Sequence, residues 1–151
     1  MRLHSAPPIA LTVIIVEPDS DRLLQLRRSL AAVARVTGYT DFDSARVALR
    51  HEPPALLVTN LRLGEFNGLH LVLLASPPTR SIVYMEPPDT VLLRDAQRVG
   101  AFVESTPRLQ RSLPSYVGAT LRAQDRRDVS RVDRRGEARG GRRGGDGHAP
   151  A

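Results

Sequence analysis

Asn60 stands where chemistry would be expected in this chain. It closely follows the apolar run Ala55-Leu56-Leu57-Val58, which has Pro53-Pro54 before it and the stretch LRLGEFN, residues 61–67, behind it. A short apolar run bounded by turn signals reads as a strand buried on both faces. In an open parallel α/β sheet, ligands and reactions occupy the crevice beyond the carboxyl ends of the strands. A carboxamide at such a strand end can hydrogen-bond a turn. Other reactive groups are scarce. The absence of Cys excludes disulfides, thiol nucleophiles and Cys-zinc sites. His4, His51, His70 and His148 are scattered without metal-ligand spacing and read as surface residues.

The elements that would position Asn60 follow from apolar periodicity. Residues 1–8 form a loose N-terminus. Residues 9–16, IALTVIIV, are strand one; they are too short to span a bilayer and run directly into Glu17-Pro18-Asp19, so a cytoplasmic protein without a membrane segment is expected. Asp19 or Ser20 caps a helix to about Ala32, with Leu23, Leu26, Leu30 and Val33 on one face. A second strand covers residues 33–39, and Asp41 or Asp43 starts a short helix to Arg50. Beyond the central strand and its loop, a helix over residues 68–75 is stopped by Pro77-Pro78. Strand four is residues 81–85, SIVYM, and a helix from the Pro87-Pro88-Asp89-Thr90 segment ends at Gly100. Strand five is residues 101–104, and the apolar repeat Leu109, Leu113, Val117, Leu121 places a last helix at about 113–122. Fivefold βα alternation implies a parallel sheet with helices on both faces.

With PALLVTNLRLGEFNGL at 54–69, the chain resembles the receiver domains of response regulators, the phosphoacceptor modules of bacterial two-component signalling. That family reads approximately P-D-L-V-L-L-D-L-x-L-P-x-x-D-G-L over this strand and loop, and its second Asp accepts the phosphoryl group. The likeness covers roughly residues 11–122, with one deletion near strand five. It implies a flavodoxin-like, doubly wound sheet of five parallel strands in the order 2-1-3-4-5, with Glu17, Asn60, Met85 and Thr106 converging at the carboxyl edge. A receiver needs a carboxylate nucleophile, an acidic pair that helps hold Mg²⁺, and a Thr/Ser and a Lys on the phosphoryl oxygens. By this resemblance Glu17 keeps the first acidic position. Pro18 replaces the second, Asn60 the nucleophile and Met85 the Thr/Ser, with Glu86 following where a small residue is usual. Thr106, or Ser105 given the deletion, stands for the Lys, and the resemblance also implies a cis Thr106-Pro107 bond. A carboxamide has no anionic oxygen to attack phosphorus. The pattern is that of a degenerate pseudo-receiver, without catalytic residues, metal or cofactor, kept as a phosphorylation-independent protein-interaction module.

Two surfaces are candidates for partners. In the helix over 68–75, Leu69, Leu71, Val72, Leu73 and Leu74 cannot share one apolar stripe, and Leu74 lies about 140° from Leu69. Leu71 and Leu74 are the candidate interface residues, for a protein partner or a second copy in a homodimer. The other surface is the tail. All 22 basic residues are Arg, consistent first with a GC-rich coding bias, and residues 117–151 supply +4 of the formal charge of +6. Residues 123–151 have too few apolar side chains to offset ordering entropy and read as a disordered, Arg/Gly-rich extension. Arg139, Arg142 and Arg143, within RGGRRGG, are candidate contacts to nucleic acid or another polyanion, although no aromatic residue lies beyond Tyr116.

Overall fold

The computed structural model describes residues 10–137, with residues 128–137 described by their backbone. Three apolar runs form its centre. Strands β1 (Leu11–Val16), β3 (Leu56–Asn60) and β6 (Arg80–Tyr84) lie side by side and parallel, with Val13 opposite Leu56 and Leu56 opposite Arg80. They are buried almost throughout, as near-continuous apolar strands must be when both sheet faces are covered. Strand β2 (Ala34–Tyr39) pairs with β1 on one side, and β7 (Phe102–Val103) pairs with β6 on the other. The five-stranded parallel sheet has the order β2-β1-β3-β6-β7. Among the strands of this sheet that is the expected order 2-1-3-4-5, in a flavodoxin-like fold with helices on both faces.

Local sequence explains the helices. Asp19 accepts a hydrogen bond from the Arg22 backbone N–H and starts α1 (Ser20–Leu30), which buries Leu23, Leu26 and Leu30. Asp41 does the same through Ser44 N–H for α2 (Phe42–His51), and Asp89 through Val91 and Leu92 N–H for α4 (Thr90–Arg98). Gly100, at φ 92°, then takes the left-handed conformation that Gly adopts at no steric cost. Val33 departs from expectation: α1 ends at Leu30, so Val33 lies beyond the helix and is exposed.

By alternation, one sheet face carries Ile14, Val16 and Leu57, which cluster with Phe42, Ala45 and Leu49 of α2, with Leu63, and with Leu71 of α3 (Leu69–Leu74). A second cluster joins Leu61, Val72, Val83, Met85, Ala96 and Ala101. Leu71 is therefore a core residue and cannot be part of an interface, which corrects the expectation for that position. Leu73 and Leu74, on the other side of the short helix, are exposed.

The loop after β3 contains a small hairpin that periodicity missed. Strands β4 (Arg62–Leu63) and β5 (Phe66–Asn67) pair antiparallel around a turn containing Gly64 at φ 63°. Gly68 then brings the chain back against β3. A Cβ there would lie 2.3 Å from the Asn60 carbonyl oxygen and 3.0 Å from Leu61 Cα, both backbone atoms. Since Gly68 itself has helical φ and ψ, the need for Gly is steric. We expect Gly68→Ala to destabilise by about 1–3 kcal/mol, as overpacking of a tight contact does. This would appear as a lower denaturation midpoint at unchanged m-value; a midpoint equal to wild type would show that the loop moves freely.

Two further expectations are corrected. The cis peptide bonds among the described residues are Pro77-Pro78 and Glu86-Pro87, so Thr106-Pro107 is trans. Helix α5 runs Thr106–Glu137, where an end near Arg122 and disorder beyond it were expected. Pro114 is tolerated inside the helix, and no other Pro occurs between it and Glu137 to break the helix again. The chain divides into two compact units, residues 1–120 and 121–151. Among its described residues the second unit is helical. Residues 1–9 and 138–151, with Arg139, Arg142 and Arg143, lie outside the described residues. No helix among those described is long and apolar enough to cross a membrane.

Candidate functional site

The carboxyl edge of the sheet holds one buried acid. Glu17 follows β1 and is 1% exposed, and a carboxylate so placed must be hydrogen-bonded to offset the loss of hydration. Three donors serve it. Its Oε1 accepts from the Asp19 backbone N–H at 3.0 Å. Its Oε2 accepts from Asn60 Nδ2 at 3.2 Å and from the Tyr84 hydroxyl.

Asn60 is held so that only its amide nitrogen can face the acid. Its Oδ1 accepts the Arg62 backbone N–H at 2.9 Å, an Asx-type turn closed two residues on. A carboxylate can only accept and a backbone N–H can only donate, so this pair of contacts fixes the amide orientation. The Arg62 guanidinium then reaches across to donate to the Pro87 carbonyl at 3.1 Å, tying the loop after β3 to the loop after β6.

Tyr84 is fully buried and is the largest of the fully buried side chains. It ends β6 directly opposite Asn60 in the sheet register. Burial raises its pKa well above the ordinary Tyr value, and the adjacent Glu17 charge and their hydrogen bond push in the same direction, opposed by Arg22. The phenol therefore stays neutral and remains a donor.

Of the residues picked out by sequence, Glu17 and Asn60 are brought into contact. Pro18 is exposed in the turn between β1 and α1 and has no side-chain oxygen to offer. Met85 does not belong to the site, because it is buried in the apolar cluster of Val72, Val83 and Ala96. Strand β6 ends one residue earlier than its apolar run suggested, and a one-residue slip sends every side chain to the opposite face. Tyr84 takes that place instead. The sequence did carry a signal for it: a Tyr ending an apolar strand must find a partner for its hydroxyl when buried. Thr106 opens α5 after β7, but its buried hydroxyl has no hydrogen-bond partner and does not join the Glu17 network. Ser105 is exposed.

No protein-family model and no curated protein matches the sequence. Solved structures do. The chain is similar to a CheY-like response regulator receiver domain protein from Methanospirillum hungatei, with a TM-score of 0.72 at 17% identity over 78% of this chain and 98% of that one. The fold is that of a receiver domain. Two further receiver domains are similar. The BeF3-activated DrrB receiver domain, from a Thermotoga maritima response regulator, gives a TM-score of 0.66 at 18% identity, covering 76% of this chain and 99% of its own. That of the Francisella response regulator 1452 gives 0.67 at 13%, covering 76% and 98%.

A receiver fold implies a divalent cation at this edge, and the residues present do not fit one. Hard cations such as Mg²⁺ require oxygen ligands. Here the Asn60 oxygen is turned to Arg62 N–H, its amino group faces the acid, and both Glu17 oxygens already accept protein donors. No group of three or more His, Asp or Glu among the described residues is arranged to hold a metal ion.

Proposed function

We propose that this receiver fold acts as a phosphorylation-independent regulatory module, a pseudo-receiver that works by binding a protein partner in two-component-like signalling. One observation carries the reading: the Glu17–Asn60–Tyr84 network fills the acidic edge with internal hydrogen bonds. An aspartyl phosphate needs an anionic nucleophile, and a carboxamide supplies none. The Glu17 carboxylate beside it is buried and hydrogen-bonded to three donors, which lowers its nucleophilicity. A site without catalytic turnover leaves the surface as the functional part of the domain, since function resides in sites rather than in folds.

The test uses acetyl phosphate and, separately, beryllofluoride, each with Mg²⁺, on the full chain. We expect no phosphoryl adduct by intact mass and no change in the amide spectrum around Asn60 and Tyr84. A stoichiometric adduct, or Mg²⁺-dependent shifts at these residues with beryllofluoride, would refute the reading.

A further inference from the structure

The surface between α2 and α3 carries a groove of about 420 Å³ lined by Phe42, Arg46, His70, Leu73 and Leu74. Its floor is aromatic. Phe42 stacks on Phe66 at 4.8 Å with the rings 11° from parallel, and His70 stands edge-on to Phe42 at 6.4 Å. Phe66, Leu73 and Leu74 are large apolar residues left exposed around it. Single exposed apolar residues are ordinary, whereas several gathered on one concave patch mark an interaction site.

Arg46 is the formally charged residue of its lining. Arg46 lines the groove with its Nε–H buried and without an acceptor. Its ion pair to Asp43 is 3.4 Å long, between two partly exposed side chains, the kind of contact that contributes little. The exposed end of the guanidinium, held only by this weak pair, keeps donor capacity that an incoming carboxylate would satisfy, and a paired Arg–carboxylate contact is stronger than a neutral hydrogen bond. His70 adds a second donor on the same rim. A two-fold pairing centred on this groove would set Arg46 of one chain near Arg46 of the other, which disfavours self-association through this face.

We propose that the α2–α3 groove binds an acidic amphipathic peptide segment of a partner protein, seating one or two large apolar side chains over Phe42 and Leu74 with an adjacent Asp or Glu on Arg46. It rests on the interaction-module reading and gives that module its contact surface. Because Leu74 is exposed and Arg46 half-buried at the rim, outside both core clusters, changing them alters the groove and not the core.

The experiment selects binders from a random peptide display library against the full chain, then measures the enriched peptides by titration. Sequences pairing Leu, Ile, Phe or Trp with Asp or Glu are expected, with amide shifts confined to α2, α3 and β5. Arg46→Glu and Leu74→Glu should each weaken binding by about tenfold or more while leaving the thermal midpoint within a degree or two. Replacing the acidic residues of the peptide with Lys should do the same. Enrichment of basic or uncharged peptides, binding unaffected by Arg46→Glu, shifts mapping elsewhere, or no enrichment at all would overturn the proposal. So would concentration-dependent dimerisation abolished by Leu74→Glu, which would assign the groove to a second copy. None of these outcomes bears on phosphorylation, so a failure here is distinguishable from an adduct at the sheet edge.

Discussion

Asn60→Asp alone will not take up a phosphoryl group from a small donor at an efficient rate, and it will be less stable than wild type at neutral pH. On the proposed reading the substitution supplies a nucleophile, but it places a second carboxylate where Asn60 Nδ2 now donates to Glu17 Oε2 at 3.2 Å. Two carboxylates that close cannot both ionise cheaply, so the pair holds a proton to higher pH than either acid alone. A folded-state pKa raised above the unfolded value means the penalty is absent at low pH and grows as pH rises through the folded pKa. The variant should therefore approach wild-type stability near pH 4 and lose ground toward pH 7. On the chemical side, the same reading leaves the site without the Lys and the Thr/Ser that hold a phosphoryl group. Losing one preorganised electrostatic donor costs about 10²–10³ in rate, and two such losses need not add. The restoring set should include Tyr84→Thr rather than Met85→Thr, because Tyr84 is the residue that faces Glu17. Pro18→Asp, Asn60→Asp, Tyr84→Thr, Thr106→Lys together should label measurably by intact mass if the protein folds. Efficient Mg²⁺-dependent labelling of Asn60→Asp alone would show that the edge retains working receiver chemistry.

The failed expectation at Met85 shows what the sequence could and could not convey. Apolar run length located β1, β3 and β6, because strands buried on both faces leave a continuous trace. The same continuity erases the alternation that would reveal which residue faces which side. The run SIVYM is apolar on both faces, so whether Tyr84 or Met85 points at Asn60 was invisible until the β3–β6 register was known. Leu71 failed for a related reason: a six-residue helix rich in Leu has too little polar contrast to define its outer face. The β4–β5 hairpin was hidden because two-residue strands have no period at all. Asp19, Asp41 and Asp89 were legible as helix starts because capping is local and needs no tertiary knowledge. The Glu17–Asn60 contact spans 43 residues of sequence; the family pattern supplied it, while the third partner came only from the structure.

Glu17→Ala should be among the most damaging single changes in the domain, costing about 3 kcal/mol or more, because each buried donor left unsatisfied costs about 1–3 kcal/mol. It leaves the Asn60 amino group and the Tyr84 hydroxyl, both buried, and the partly buried Asp19 N–H without their acceptor. Tyr84→Phe alone should cost about 1.5–3 kcal/mol, the range for one hydrogen bond to a charged group. In the Glu17→Ala background the Tyr84 hydroxyl has nothing to lose, so the second substitution should cost little or restore some stability. The double-mutant cycle should then show a coupling of about 1–3 kcal/mol. Alkaline pH gives an independent reading of the same contact. Tyr84 has a folded-state pKa raised above the ordinary Tyr value of about 10. Its contribution is therefore fully present below about pH 10 and is lost as pH rises further, because the unfolded chain ionises first. Wild-type stability should fall above pH 10 more steeply than that of Tyr84→Phe, and tyrosinate absorbance from Tyr84 should appear only on unfolding. Additive effects of the two substitutions, with parallel alkaline slopes, would mean that the Tyr84 hydroxyl does not hold the Glu17 carboxylate in solution.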